Sequence, residues 1–265
     1  MEKIHVILRT CQNSLLDQNI DKRSSSGIRI CGNDRKLMIT KCLKSLITSI
    51  NNSLNNVRLT VLDDHSETSF VKEVKNILKS CKKKTKFISL KKRGFNFSSH
   101  EQFKLAIKND ELIYVVEDDY LHETNAIDDM LGAYQYFTDR FKDNILIFPF
   151  DCPFRYINNR EQPTVVFNVN KRYWRHVKYT TLTFFTHSRI LKDNFHMYEK
   201  MALEYPKVCE DTTINKKYKG LAVSEGETIL AFNPIPSIAY HLSYIQPPEL
   251  NVSCTNWKDL WDKTI

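Results

Sequence analysis

Leu112-Ile113-Tyr114-Val115-Val116-Glu117-Asp118-Asp119 runs an unbroken apolar segment straight into three consecutive carboxylates. A run holding Ile, Tyr and two Val suits a strand covered on both faces, the kind found in a parallel sheet under helices. Three adjacent acids repel one another unless a cation sits among them. An oxygen-preferring divalent ion, Mg²⁺ or Mn²⁺, answers that need and completes its shell with substrate phosphates. Acids after a strand also complement the dipole of a following helix. On these residues alone both readings stand.

Outward from this stretch, apolar runs alternate with segments of helical period, the pattern of βαβ units and a mainly parallel sheet. Strands are expected at residues 3–9, 57–62, 86–90, 112–116 and 145–148. Helices are expected from near Asp34, with Leu37, Cys42, Leu43, Leu46, Ile47 and Ile50 on one face, and over 68–80, 99–108 and 124–137. Ser98 or Ser99 would cap the third of these helices. Residues 11–33 are polar and Ser-rich and read as a long loop. Beyond about residue 150 the pattern loosens. Strand-like runs stand at 164–167 and 180–186, a helix at 192–203, and Lys171-Arg172-Tyr173-Trp174-Arg175-His176 reads as a basic, aromatic loop with Trp174 available to a sugar face. The fold class is therefore α/β, a mainly parallel sheet flanked by helices with a mixed elaboration. With no repeat and no Pro/Gly hinge, one domain over 1–265 is expected.

At 265 residues with 42% hydrophobic and 11% aromatic content, the chain can bury a sizeable core. No run of about 18 apolar residues occurs, and the first residues are too short and too charged for a leader, so a cytoplasmic location is expected. Seven cysteines without CxxC spacing argue for free thiols over a zinc site or a disulfide framework. A formal charge of +8 suggests an anionic partner, with basic residues densest at 82–84 and 91–93. A solvated face, nucleotide phosphates, an anionic acceptor and peripheral contact with an anionic surface all remain open. No glycine-rich phosphate loop is present, and nothing resembles an RNA-recognition or zinc-finger motif, so nucleic acid is disfavoured.

In an open parallel sheet, ligands bind beyond the carboxyl ends of the strands. Three polar clusters fall there: Arg9-Thr10, Asp63-Asp64 and Glu117-Asp118-Asp119. Three segments, in order and spacing, resemble the GT-A glycosyltransferases of the inverting family 2 type. They are Val6-Ile7-Leu8-Arg9-Thr10-Cys11-Gln12-Asn13, Val61-Leu62-Asp63-Asp64-His65-Ser66 and Tyr114-Val115-Val116-Glu117-Asp118-Asp119. The last is similar to the DxD motif in the EDD form of the family 13 N-acetylglucosaminyltransferases. The likeness covers about residues 3–122 well and the remainder loosely.

The resemblance implies a Rossmann-like GT-A sheet, with a nucleotide half at about 1–122 and an acceptor half at about 123–265. It implies a Mn²⁺- or Mg²⁺-dependent inverting transferase of hexosyl type. The donor would be a nucleotide-diphosphate sugar, first a UDP-sugar, and the acceptor a hydroxyl on a glycan, lipid or protein. Asp64 matches the aspartate that accepts from the pyrimidine N3–H, and Arg9 and Thr10 lie where base or diphosphate is contacted. Asp119 matches the metal ligand. Glu117 would reach the ribose or a metal-bound water, and Asp118 the sugar hydroxyls. Asp63 would touch ligand or cap the next helix, and Arg93 would approach the nucleotide or stay solvated. The pair Glu210-Asp211 resembles the family's acidic pair, whose second acid is the base, which selects Asp211. His241 falls where several such enzymes place a late histidine on metal or diphosphate, the alternative being a core histidine. A metal-dependent nuclease and an inactive nucleotide-binding module are the rival readings.

Overall fold

The computed structural model describes residues 1–12, 34–152, 164–218, 229–242 and 257–264. The expected 11–33 loop lies outside that set from residue 13 on. Strands β1 (Lys3–Thr10), β2 (Asn56–Asp63), β3 (Lys84–Ser89) and β4 (Leu112–Glu117) pair in parallel in the order β3-β2-β1-β4. From Ile4 to Thr10 every residue of β1 is buried, as is β4 up to Val116, which is why residues 6–8 and 112–116 read as apolar runs.

Helix α1 (Arg35–Asn52) starts at Asp34, whose carboxylate accepts from the Leu37 amide at 2.9 Å. It buries Cys42, Leu43, Leu46, Ile47 and Ile50, whereas Leu37, expected on that face, is 40% exposed at the first turn. Helix α2 (Thr68–Leu78) packs beside α1 and helix α3 (Phe95–Ala106) lies on β1, β2 and β4. Because β1-α1-β2 and β2-α2-β3 step one way along the sheet and β3-α3-β4 steps back, right-handed crossovers put α3 on the opposite face. Ser98 and Ser99 do not cap α3. The helix begins three residues earlier, after Gly94, and the Ser98 hydroxyl donates back to the Phe95 carbonyl at 3.1 Å.

The sheet continues through the second half of the chain. Strands β6 (Asn144–Ile147), β7 (Val166–Val169), β8 (Arg172–Val177), β9 (Phe184–His187) and β10 (Ile229–Ile235) extend it in the order β4-β9-β6-β10-β8-β7. Antiparallel β9 thus sits between β4 and β6, and only the end of the expected 180–186 strand pairs. The stretch 171–176 is not a loop. Asn170 and Lys171, at φ 51° and 66°, close a two-residue hairpin between β7 and β8 that matches the strand twist. Trp174 then points inward, 1% exposed, edge-on to Phe137 of helix α4 (Ala126–Phe141), and cannot offer its face to a sugar. The single expected helix over 192–203 is two, α5 (Ser188–Asp193) and α6 (Phe195–Glu204). Between them the Asn194 side chain donates to the Ile190 carbonyl at 2.9 Å and ends the first.

A second, two-stranded ribbon pairs β5 (Tyr120–His122) with β11 (Ala239–His241), antiparallel, with Tyr120 opposite His241. Helix α7 (Trp257–Lys263) lays Trp257, Leu260 and Trp261 against Met38, Cys42, Leu121 and Tyr240. Among the described residues, no helix is long and apolar enough to cross a membrane, and Cys11, Cys42, Cys81, Cys152 and Cys209 are free thiols.

Candidate active site

Strand register assembles the site. The β1–β4 pairing sets Arg9 opposite Glu117, and the β1–β2 pairing sets Thr10 opposite Asp63. Arg9 donates to Glu117 Oε1 at 2.7 Å and to Ser98 Oγ at 3.4 Å, with its guanidinium 4.5 Å above the Phe95 ring. Such a pair holds a carboxylate on a buried strand end at a fixed place. Burial nevertheless pushes the Glu117 carboxyl above the usual range, against Arg9 and with help from the charges of Asp119 and Glu210.

Thr10 and Asp63 turn away from the crevice. Thr10 is fully buried, its hydroxyl donating toward Leu62 O and Asp63 Oδ1 at 3.4 and 3.3 Å. Asp63 Oδ2 accepts from the Ser66 amide at 3.2 Å, so it closes the turn after β2; Glu67 stands at the N-cap of α2 and makes no side-chain capping bond.

Asp64 is 1% exposed, and its two oxygens accept from the Gly94 amide at 3.1 and 3.0 Å. Gly94 adopts φ 118° and ψ 153°, a conformation open in practice to glycine alone. Asp64 therefore acts on the β3–α3 loop, where exposed Arg93 stands at the rim. Asp118 is likewise committed: Oδ2 accepts from the Cys11 amide and Oδ1 from Arg35, both at 2.7 Å, and Arg35 also donates to Cys11 O at 2.7 Å. It ties β4 to the chain leaving β1 and to the start of α1.

Asp119 and His241, 122 residues apart in sequence, meet because β5 pairs with β11. His241 Nε2 lies 3.0 Å from Asp119 Oδ2, and its ring stacks on Tyr120 at 4.7 Å and 8°. The Leu242 amide donates to Asp119 O at 2.8 Å and locks the ribbon end. Carboxylate oxygen and imidazole nitrogen side by side are a donor pair that Mn²⁺ accepts. Among the described residues, no three His, Cys, Asp or Glu side chains gather to cage a metal alone. An ion held here would draw its other ligands from phosphate and water, the usual pattern for Mg²⁺.

The acidic pair after α6 lies in a 3₁₀ turn, Glu210–Thr212. Asp211 is exposed and accepts from the Asn215 amide group at 2.8 Å. Of the two acids it is Glu210 whose charge acts on Glu117, and burial raises its own carboxyl, with Asp211 adding to the rise. Reading the sequence also missed Arg35 and Gly94. A lone glycine after a basic run was the available signal for Gly94; Arg35 had none.

No protein-family model matches the chain, and no curated protein matches it. Solved structures do. S. aureus TarS 1-349 in complex with UDP-GlcNAc superposes with TM-score 0.48 at 17% identity, over 92% of this chain and 61% of that one. The mannosyltransferase PcManGT from Pyrobaculum calidifontis, in complex with GDP-Man and Mn²⁺, gives TM-score 0.48 at 11% identity, over 87% and 56%. An active-site mutant of LgtC gives TM-score 0.48 at 10% identity, over 98% and 94%. The chain spans 36 to 61% of the length of the TarS chains it matches. At such scores and identities the likeness is distant, and what this chain does has to be read from its own residues.

Proposed function

We propose that this chain binds a nucleotide-diphosphate sugar beyond the carboxyl ends of β1, β2 and β4 and transfers the sugar, with inversion, to an acceptor hydroxyl. One observation carries the reading: Asp119 paired with His241, Glu117 held by Arg9, and Glu210 acting on Glu117 gather at the carboxyl ends of the strands, where an α/β sheet binds nucleotides. The motif resemblance supplies the donor class, first a UDP-sugar. Asp119 and His241 would hold Mn²⁺ or Mg²⁺, which when bound stabilises the charge of a departing diphosphate. Asp64, by fixing Gly94, shapes the wall against which the base would lie, with Arg93 at its rim.

In the transfer the acceptor oxygen bonds to the anomeric carbon as the carbon–oxygen bond to the diphosphate breaks. The bond's electron pair leaves with the nucleotide, and the hydroxyl proton passes to a carboxylate. Glu210 is that base. Burial raises its carboxyl, the direction a base working near neutral pH needs, and its charge acts on Glu117 at the end of β4. Arg9 and Arg35 each neutralise one member of the Glu117-Asp118-Asp119 run, which favours a single ion at Asp119 over a two-metal nuclease site.

Release of UDP from UDP-sugars across an acceptor panel tests the assignment. Glu210→Gln should lower transfer by about 10²- to 10⁴-fold, with nucleotide affinity unchanged. Asp211→Asn should stay within a few-fold of the parent protein. An inactive Asp211→Asn beside an active Glu210→Gln would return the base to Asp211.

A further inference from the structure

Residues 68–94, comprising α2, β3 and the loop that enters the crevice, carry ten Lys or Arg and one Glu. Their balance of +9 exceeds the +8 of the whole chain, so the rest of the protein sums to −1. The basicity is therefore not a general property of the surface. It belongs to one unit at the edge of the sheet, where, among the described residues, β3 has β2 on one side and no strand on the other.

The charges straddle that edge. Lys75 lies 4.9 Å above the Phe87 ring, which places α2 on the Phe87 face of β3. With side chains alternating along a strand, exposed Lys84 and Lys86 project from the opposite face. Lys72 and Lys79 continue the row on α2, Lys82 stands at the start of β3, and Lys91 to Arg93 stand at its end. No ion pair among the described residues engages Lys72, Lys79, Lys82, Lys84 or Lys86. Over a strand of six residues this makes two rows of cations roughly 20 Å long, ending beside Gly94. Lysine on an edge strand guards against pairing with another chain. Guarding requires charge on the edge alone, whereas here the charge continues onto the helix and into the mouth of the crevice.

We infer that this edge docks a linear, phosphate-bearing chain without bases, and that the docked chain presents its hydroxyls to the crevice as acceptor. Two rows flanking a ridge fit an extended polymer better than a flat bilayer. None of the exposed large apolar residues that would anchor in a membrane lies on the unit. Stacking of nucleic-acid bases is also poorly served, because Phe87 and Phe97 are covered by Lys75 and Lys92. The acceptor role rests on the transfer reading; docking does not, and is measured without nucleotide.

Anisotropy of labelled long-chain inorganic polyphosphate tests the docking. Affinity should fall roughly a hundredfold or more between about 50 and 200 mM salt, as counterion release by several lysines requires. Lys72→Gln, Lys79→Gln, Lys82→Gln, Lys84→Gln and Lys86→Gln together should weaken binding by at least about tenfold, and an equal charge loss at Lys108, Lys192, Lys200, Lys207 and Lys216 should change it by less than about twofold. Equal losses in the two variants would overturn the inference, since net charge alone would then explain binding. Tighter binding of phosphatidylglycerol vesicles would replace the polymer by a membrane, and tighter binding of single-stranded DNA would replace it by nucleic acid. Polyphosphate bound as expected, with no sugar transferred to any acceptor, would count against the transfer reading and not against the docking.

Discussion

His5 and His122 are buried and neutral, and the reason differs at each. Arg58 donates to His5 Nδ1 at 2.8 Å, which leaves the ring proton on Nε2 to donate to Thr60 Oγ1 at 2.8 Å. His122 Nε2 lies 2.8 Å from the Tyr114 hydroxyl within the core. Burial, joined at His5 by the charge of Arg58, lowers both pKa values from 6.5 to about 3. The unfolded chain gains these protons as pH falls below about 6.5 while the folded chain refuses them, so this stability is full above 6.5 and drains as pH falls toward 3, by up to about 1.4 kcal/mol per pH unit for each ring. Glu117, Asp118 and Glu210 act with the opposite sign: their raised values give stability that is present in acid and lost as pH rises. His122→Gln isolates one contribution. Between pH 7.5 and 5 its urea midpoint should fall less than that of the parent protein, and identical falls would show that His122 is not a neutral buried ring. At this scale the sequence displayed the acids and concealed their partners. That Arg9 faces Glu117 depends on strand register, and that His241 meets Asp119 depends on a ribbon joining distant segments.

Among the elements, β4 was legible because a strand buried on both faces leaves an uninterrupted apolar run, and β1 and β2 because theirs are broken only by His5 and by Arg58 and Thr60. The β7–β8 hairpin was not, because Asn170 and Lys171 adopt the left-handed conformation without a glycine to announce it. The start of α3 was hidden for a related reason: Ser98 and Ser99 look like caps, yet the chain is already helical from Phe95. Gly94 makes that early start, and its conformation yields a prediction. A Cβ at this position meets no atom within 4 Å, so Gly94→Ala carries backbone strain alone. Unfolding in urea should show a loss of about 1–3 kcal/mol. Nucleotide affinity should fall with it, because the amide that Asp64 holds would move. A variant of parental stability and affinity would show that the Asp64–Gly94 contact does not order the loop.

Across the whole molecule, the two halves of the chain are woven into one sheet. β9 stands between β4 and β6, and parallel β10 lies beyond β6. An edge strand left without its neighbour exposes unpaired backbone, so neither 1–122 nor 123–265 should fold alone, and heating should give one transition by circular dichroism and tryptophan fluorescence alike. Two separated transitions would mean that the halves are independent domains. The same weave brings Glu210 and His241, from the second half, to the strand ends of the first, and on that meeting the function rests. Calorimetric titration of UDP, GDP, CDP and ADP, with and without Mn²⁺, tests it most directly. One diphosphate should bind more tightly with Mn²⁺, and Asp119→Ala and His241→Ala should each remove the metal's contribution while the fold stays intact. No diphosphate binding in either condition, or a metal effect unchanged in both variants, would contradict it.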